Sequence, residues 1–360
     1  MKFKHVLVAG VASAMLLGGS LSATAASEER IGGVDRYATS AAISQKAFPQ
    51  PVFIDRVFLA SGEAFPDALV AGAAAGSLKV PVLLTRRAGI PDVIEKELTR
   101  LKPSQIVIVG GQGAISKTVA DRAASWGTVS RWAGANRYAT AKAVAEEIDK
   151  LLGSTSVAFL ASGTDFPDAL GGGFAGATVS APLLLTDPQG LSSEAADYLQ
   201  AVKPKEIFIL GGKGAVEGSV VSAAAQIAPV RRIAGSDRYG TSAAISRSIF
   251  DKPEAVGTVV LANGLGFPDA LSGTPLAAVR DAPILLVNLT GVPPVVCREI
   301  NRLDPDAIVV LGGKGAISDA VIGQAQRCAV TPPKPPRPSP TGTPGPGPTT
   351  PVPTPSPSSS

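Results

Sequence analysis

Arg30-Ile-Gly-Gly-Val-Asp-Arg-Tyr-Ala-Thr39 is written three times in this chain. It returns as Arg131-Trp-Ala-Gly-Ala-Asn-Arg-Tyr-Ala-Thr140 and as Arg232-Ile-Ala-Gly-Ser-Asp-Arg-Tyr-Gly-Thr241. Each copy lies 101 residues after the last, and other landmarks keep the same interval. Phe65-Pro-Asp-Ala68 recurs from Phe166 and from Phe267. Pro81-Val-Leu-Leu84 becomes Pro182-Leu-Leu-Leu185 and Pro283-Ile-Leu-Leu286. Gly110-Gly-Gln-Gly113 becomes Gly211-Gly-Lys-Gly214 and Gly312-Gly-Lys-Gly315. A period this long, held without drift, marks three copies of one folding unit, each large enough for its own core.

Within the first copy, Asp35 is placed to cap a helix that starts at Arg36 and runs towards Phe48. An apolar strand from Asp55 leads to a Gly loop and then to Phe65-Pro66-Asp67. There Pro suits the first helical turn, and the aspartate suits its free N–H groups. Strands are expected over 80–85 and 105–109, helices over 91–101 and 116–125, and a short edge strand over 129–132. Apolar strands alternating with helices describe a parallel sheet covered on both faces. The fold class is therefore α/β, with three tandem Rossmann-like domains at 30–130, 131–231 and 232–329. Linkers are negligible, so the copies must touch. A closed triangle and an open row both satisfy the text.

Residues 1–25 read as a secretory signal peptide: a basic start, an apolar stretch and an Ala23-Thr-Ala25 cleavage pattern. Residues 330–360 read as a disordered tail, since positions 331–360 hold 13 Pro, six Thr and five Ser. Ala26–Glu29 reads as a lead-in. With no second apolar run, no stable membrane span is expected after cleavage. Cys297 and Cys328 are the only cysteines, and in an exported protein two such residues are expected to pair.

Cleavage would also remove His5, the single histidine. That excludes Ser-His-Asp and Cys-His nucleophile pairs, and it leaves too few ligands for a zinc hydrolase, so no metal and no cofactor are expected. Paired-carboxylate chemistry lacks a partner for the recurring Asp67, Asp168 and Asp269, because Glu63 becomes Thr164 and Leu265. Residues 30–330 hold 29 Lys plus Arg against 27 Asp plus Glu, which is no nucleic-acid footprint. The chain is not expected to be an enzyme. Its recurring polar set is Arg30/Arg131/Arg232, Arg36/Arg137/Arg238, Tyr37/Tyr138/Tyr239, Thr39/Thr140/Thr241 and the three aspartates. These residues serve as clasps between copies, with Arg forking onto Asp and Tyr packing over the junction, or as arginine grips for carboxylate or phosphate, and both can hold at once with different arginines. The turns containing Gly111 and Gly113, Gly212 and Gly214, and Gly313 and Gly315 sit between strand and helix, where backbone N–H groups can cradle an anion.

In combination, these motifs resemble the type 2 cell wall binding repeats of Gram-positive bacteria, over residues 30 to about 329. The resemblance implies Rossmann-like domains in a pseudo-trimer on the cell surface. It further implies non-covalent attachment to an anionic secondary polymer associated with peptidoglycan. The segments 82–84, 183–185 and 284–286 match the family's anchoring motif, although their composition is that of a buried strand. Asn136 and Val287 depart from the other copies, so the three need not be equivalent as sites. Two rival readings are a wall-lytic amidase or a modifier of one, and a surface-layer or adhesion component that binds an unidentified surface protein.

Overall fold

The computed structural model describes residues 26–50, 54–153, 156–165, 167–266 and 268–329. The expected leader (1–25) and Pro-rich tail (330–360) lie outside the described residues. The first copy contains β1 (Ser27–Ile31), α1 (Arg36–Ala47), β2 (Arg56–Ser61), α2 (Phe65–Leu78), β3 (Val82–Thr85), α3 (Asp92–Leu101), β4 (Gln105–Val109) and α4 (Lys117–Ala123). The second repeats the order as β5 (Thr128–Trp132), α5 (Arg137–Leu152), β6 (Val157–Ser162), α6 (Pro167–Val179), β7 (Leu183–Thr186), α7 (Ser193–Val202), β8 (Glu206–Leu210) and α8 (Gly218–Ala225). The third has β9 (Val230–Ile233), α9 (Arg238–Ile249), β10 (Thr258–Asn263), α10 (Pro268–Val279), β11 (Ile284–Val287), α11 (Pro294–Leu303), β12 (Ala307–Leu311) and α12 (Asp319–Ala329).

Each unit is built on a four-stranded parallel sheet whose central strands are buried along their length, as their continuous apolar runs require. The sheets are out of phase with the repeat in the text. The order β3-β2-β4-β5 gives the first sheet a strand that opens the second copy, and β7-β6-β8-β9 does the same one unit on. The third sheet has the order β11-β10-β12-β1. It takes its last strand from the start of the chain, with Glu29 beside Val309 and Arg30 beside Val310. Ala26–Glu29 is thus not a lead-in. It enters the strand that closes three units into a ring, and α1 then packs against α10 of the third unit. The open row is excluded.

Helices α2, α6 and α10 pack on one another where the units meet. Their Ala- and Gly-rich sequences allow it. A side chain built on Gly76 would lie 2.5 Å from the Ala177 β-carbon, so the helices approach at a distance only small residues permit. In each unit the first helix covers the edge strand. Ser40 Oγ accepts the Leu84 N–H at 3.2 Å, and Ser242 Oγ accepts that of Leu286 at 3.1 Å. The edge strands holding Leu83–Leu84, Leu184–Leu185 and Leu285–Leu286 are accordingly buried. Truncating one of these leucines to Ala would cost about 2–5 kcal/mol of stability.

Candidate functional site

The recurring polar residues converge at the carboxyl ends of the sheets, at each junction between units. Asp67 opens α2 and reaches across to the second unit, where it accepts a hydrogen bond from the Thr140 hydroxyl and lies in the field of Arg137. Asp168 is held in the same way by Thr241 with Arg238, and Asp269 by Thr39 with Arg36. The third clasp joins the last unit to the first, so the polar contacts close the same ring as the strands. Each threonine oxygen also accepts an N–H from the turn before its helix: Gly33 at 3.0 Å, Gly134 at 3.2 Å and Gly235 at 3.1 Å. Burial pushes all three carboxyls above the usual aspartate range. The threonine hydrogen bond and the arginine charge offset it only in part.

Each aspartate also presses on the glycine turn of its own unit. Gly110, Gly211 and Gly312 have φ of +101°, +96° and +97°, and a β-carbon on Gly110 would fall 2.2 Å from Asp67 Oδ2. Only glycine satisfies both conditions. The following glycines differ. A side chain on Gly111, Gly113, Gly212, Gly214 or Gly315 would meet nothing within 4 Å, and one on Gly313 would meet only the Gly33 carbonyl. Among the described residues, the N–H groups of Gly111, Gln112 and Gly113 have no protein acceptor. The turns therefore present unused donors at an open surface.

The arginines divide into two sets. Arg30, Arg131 and Arg232 lie in β1, β5 and β9. From there they hold the carbonyl side of the glycine turns. Arg131 donates to the carbonyls of Gly110 at 2.6 Å and Ile115 at 3.0 Å. Arg232 donates to Gly211 at 2.6 Å and Val216 at 2.8 Å, and Arg30 to Gly312 at 3.0 Å with an ion pair to Asp319 at 3.1 Å. Burial lowers the Arg131 and Arg232 guanidiniums below their ordinary value. Arg36, Arg137 and Arg238 lie nearer the surface. Each donates to a loop carbonyl, Gly62, Gly163 and Gly264 respectively, while its charge faces the neighbouring unit's aspartate. Tyr37, Tyr138 and Tyr239 fill the space over those loops. A β-carbon on Gly62, Gly163 or Gly264 would lie 2.6–2.7 Å from the ring. Arg36, Arg137 and Arg238 thus belong to the clasp and stand at the rim of the junction at once.

The threonines were visible as recurring residues, but their bond to a neighbour's aspartate was not, because the partners lie in different copies. Among the described residues no group of three or more His, Cys, Asp or Glu is placed to hold a metal, and no helix is long and apolar enough to cross a membrane.

The signature of the cell wall binding domain 2 (CWB2) matches residues 30–120, 131–221 and 232–322. The chain belongs to the CWB2 family. Its three CWB2 repeats form a non-catalytic cell wall binding module of a secreted, Gram-positive cell-surface protein. The "Amidase enhancer" of Bacillus subtilis (strain 168) is 33% identical over 265 residues, which cover 74% of this chain and 35% of that protein. The N-acetylmuramoyl-L-alanine amidase LytC of the same strain is 27% identical over 305 residues, 84% of this chain and 59% of that protein. The chain therefore spans between a third and three fifths of these relatives. Cwp6 from Clostridium difficile shares the fold with a TM-score of 0.80 at 23% identity, over 91% of this chain and 52% of that one. Cwp8 from the same organism gives 0.74 at 25% identity, over 84% and 51%.

Proposed function

We propose that the module holds its protein on the wall by non-covalent binding to an anionic secondary polymer attached to peptidoglycan. The supporting observation is the set of three glycine turns on one closed frame, each with N–H donors that lack a protein acceptor among the described residues, beside arginines at the junction rim. Such donors suit phosphate or carboxylate oxygens. Sites on a rigid frame reinforce one another through effective concentration, so weak individual contacts suffice. The module is near neutral, so added salt should weaken binding less steeply than it would for a strongly basic protein. An amidase, or a modifier of one, would have to take its catalytic groups from outside the three repeats.

Sedimentation of the full chain with isolated walls, before and after hydrofluoric acid strips their secondary polymers, tests the reading. Binding should disappear with the polymer. Equal sedimentation with stripped walls would overturn it.

A further inference from the structure

The three units repeat the junction but not the loop that follows the edge strand beside it. In the first unit this loop carries Arg86 and Arg87, where the second has Asp187 and Pro188 and the third Asn288 and Leu289. With Glu63 and residues 88–90, the two arginines line an open cleft of about 520 Å³. The loop is fixed. Ser116 N–H donates to the Arg87 carbonyl at 3.0 Å, Thr85 Oγ1 to the Gly89 carbonyl at 3.2 Å, and Arg87 N–H to Glu63 Oε2 at 3.2 Å. Arg86 stacks over the Tyr37 ring at 5.1 Å. Neither guanidinium has a carboxylate partner among the described residues, whereas Arg100, Arg122, Arg247, Arg280 and Arg302 all do.

The neighbouring groups sharpen the contrast. Arg36 lies at the same rim, and Asp35 is committed to capping α1 by accepting the Ala38 N–H at 2.8 Å. Glu63, which accepts the Arg87 backbone N–H, is the carboxylate that lines the cleft with the two arginines. In the second unit, Asp187 and Glu194 both lie in the field of Tyr138, and Asp165 lies in that of Asp168. The third unit has Asn288 accepting from the Tyr239 hydroxyl, with Leu265 66% and Leu289 40% exposed. The loop after the edge strand is thus cationic in the first unit, acidic in the second and uncharged in the third.

Resting on the anionic-polymer reading above, we propose that the grip is asymmetric: the cleft of the first unit, through Arg86 and Arg87, is the cationic subsite that engages the polymer's phosphate or carboxylate groups. Two adjacent exposed guanidiniums present several donors to such oxygens, and the anchored loop lessens the ordering needed on binding.

The experiment measures sedimentation of the full chain with walls of Bacillus subtilis (strain 168). Wild type is compared with R86Q/R87Q, with R86K/R87K and with D187N in the second unit. The glutamine pair should bind about tenfold more weakly at unchanged melting temperature. The lysine pair should recover most of that loss, and D187N should bind like wild type. Arg87→Glu alone, at an exposed side chain, gives a second reading if the double variant does not fold, and should also weaken binding. Hydrofluoric acid stripping and carbodiimide blocking of wall carboxyls separate phosphate from carboxylate as the recognised group. Wild-type binding that survives hydrofluoric acid stripping removes the anionic-polymer reading itself. Binding that depends on the polymer, yet is unchanged in R86Q/R87Q or in Arg87→Glu, overturns the asymmetric grip and leaves that reading standing.

Discussion

The junctions between units and the outer helix pairs teach opposite lessons about the same repeat. At the junctions all three copies use one solution: aspartate to the next unit's threonine, with the first turn glycine beneath it. At the outer edge, where the third helix of each unit meets the last, every copy differs. The first copy has a two-point ion pair from Arg122 to Glu95 at 2.8 and 3.0 Å, and Trp126 Nε1 donates to Thr99 at 2.8 Å. The second has Ala196 and Ile227 bordering a groove of about 420 Å³. The third has the Cys297–Cys328 disulfide at those two positions, with Cα atoms 5.2 Å apart. A junction must fit two neighbours in a closed ring, so one altered copy disturbs both. An outer pair fits only itself and is free to vary.

The largest expected effect comes from crowding a junction. Gly211→Ala places a β-carbon 2.2 Å from Asp168 Oδ2 at φ +96°. Backbone strain and overlap together should remove about 3 kcal/mol or more in urea unfolding. Gly190→Ala, in an outer loop where a β-carbon meets nothing within 4 Å, should change stability by less than about 0.5 kcal/mol. Equal effects would erase the distinction between the two regions.

Next in size is the outer bridge of the third unit. Replacing Cys297 and Cys328 by serine opens a link across 31 residues and should cost about 3 kcal/mol of unfolding free energy. The corresponding surface pair in the first unit is worth far less. Arg122→Gln should leave unfolding stability close to that of wild type, because the exposed guanidinium is screened by water and salt.

The sequence made the strands legible because central strands buried on both faces read as unbroken apolar runs, as Val57–Ala60 and Ile106–Val109 do. The pairing of Cys297 with Cys328 was legible from their number and setting. Helix α1 fitted its apolar face only loosely, because polar residues occupy part of the buried side. Thr39, Ser40 and Ser44 are all buried, and each is satisfied, Ser44 by donating to Glu97 at 2.6 Å. Glu97 and Glu299 look like ordinary surface acids of amphipathic helices. Both are buried, held by Arg100 and by Arg247 with Arg302, where the second unit substitutes Tyr198 donating to Asp149 at 2.6 Å. Strand β1 was missed because its polar residues lie at a sheet edge and its partner lies some 280 residues away. Arg86 and Arg87 went unnoticed for the converse reason. They occur in one copy only, and a repeat marks only what recurs.

A smaller effect is expected from transplanting the third unit's device into the second. Ala196→Cys with Ile227→Cys occupies the positions equivalent to Cys297 and Cys328, across the groove between α7 and α8. Non-reducing mass measurement should show a bridge, and stability should rise by about 1–2 kcal/mol, less than the native bridge supplies, since transplanted geometry carries strain. Two freely alkylated thiols would show that the outer edges differ in backbone as well as in side chains.

The smallest effect is the part of the pH dependence that belongs to the junctions. Asp67, Asp168 and Asp269 each titrate above the usual aspartate range in the folded chain, chiefly because burial disfavours the charged form. Between the unfolded value, about 3.9, and the raised folded values, the folded chain binds more protons than the unfolded one. Stability from these groups is therefore fully present below the unfolded value and is lost as pH rises through the folded values. Glu95, Glu194 and Asp319 run the other way. Their ion pairs and hydrogen bonds lower them, and their contribution is lost as pH falls. The sum of the two classes hides the junction, so the measurement is a difference. Urea unfolding of wild type and of D67N/D168N/D269N should be followed from pH 4 to 7. The asparagine carries no charge to desolvate and still accepts from the threonine hydroxyl. Relative to wild type, the triple variant should gain stability as pH rises through this range. A constant difference across the range would mean that the threonine bond and the arginine charge cancel burial, and a triple variant that loses stability relative to wild type as pH rises would mean that they outweigh it.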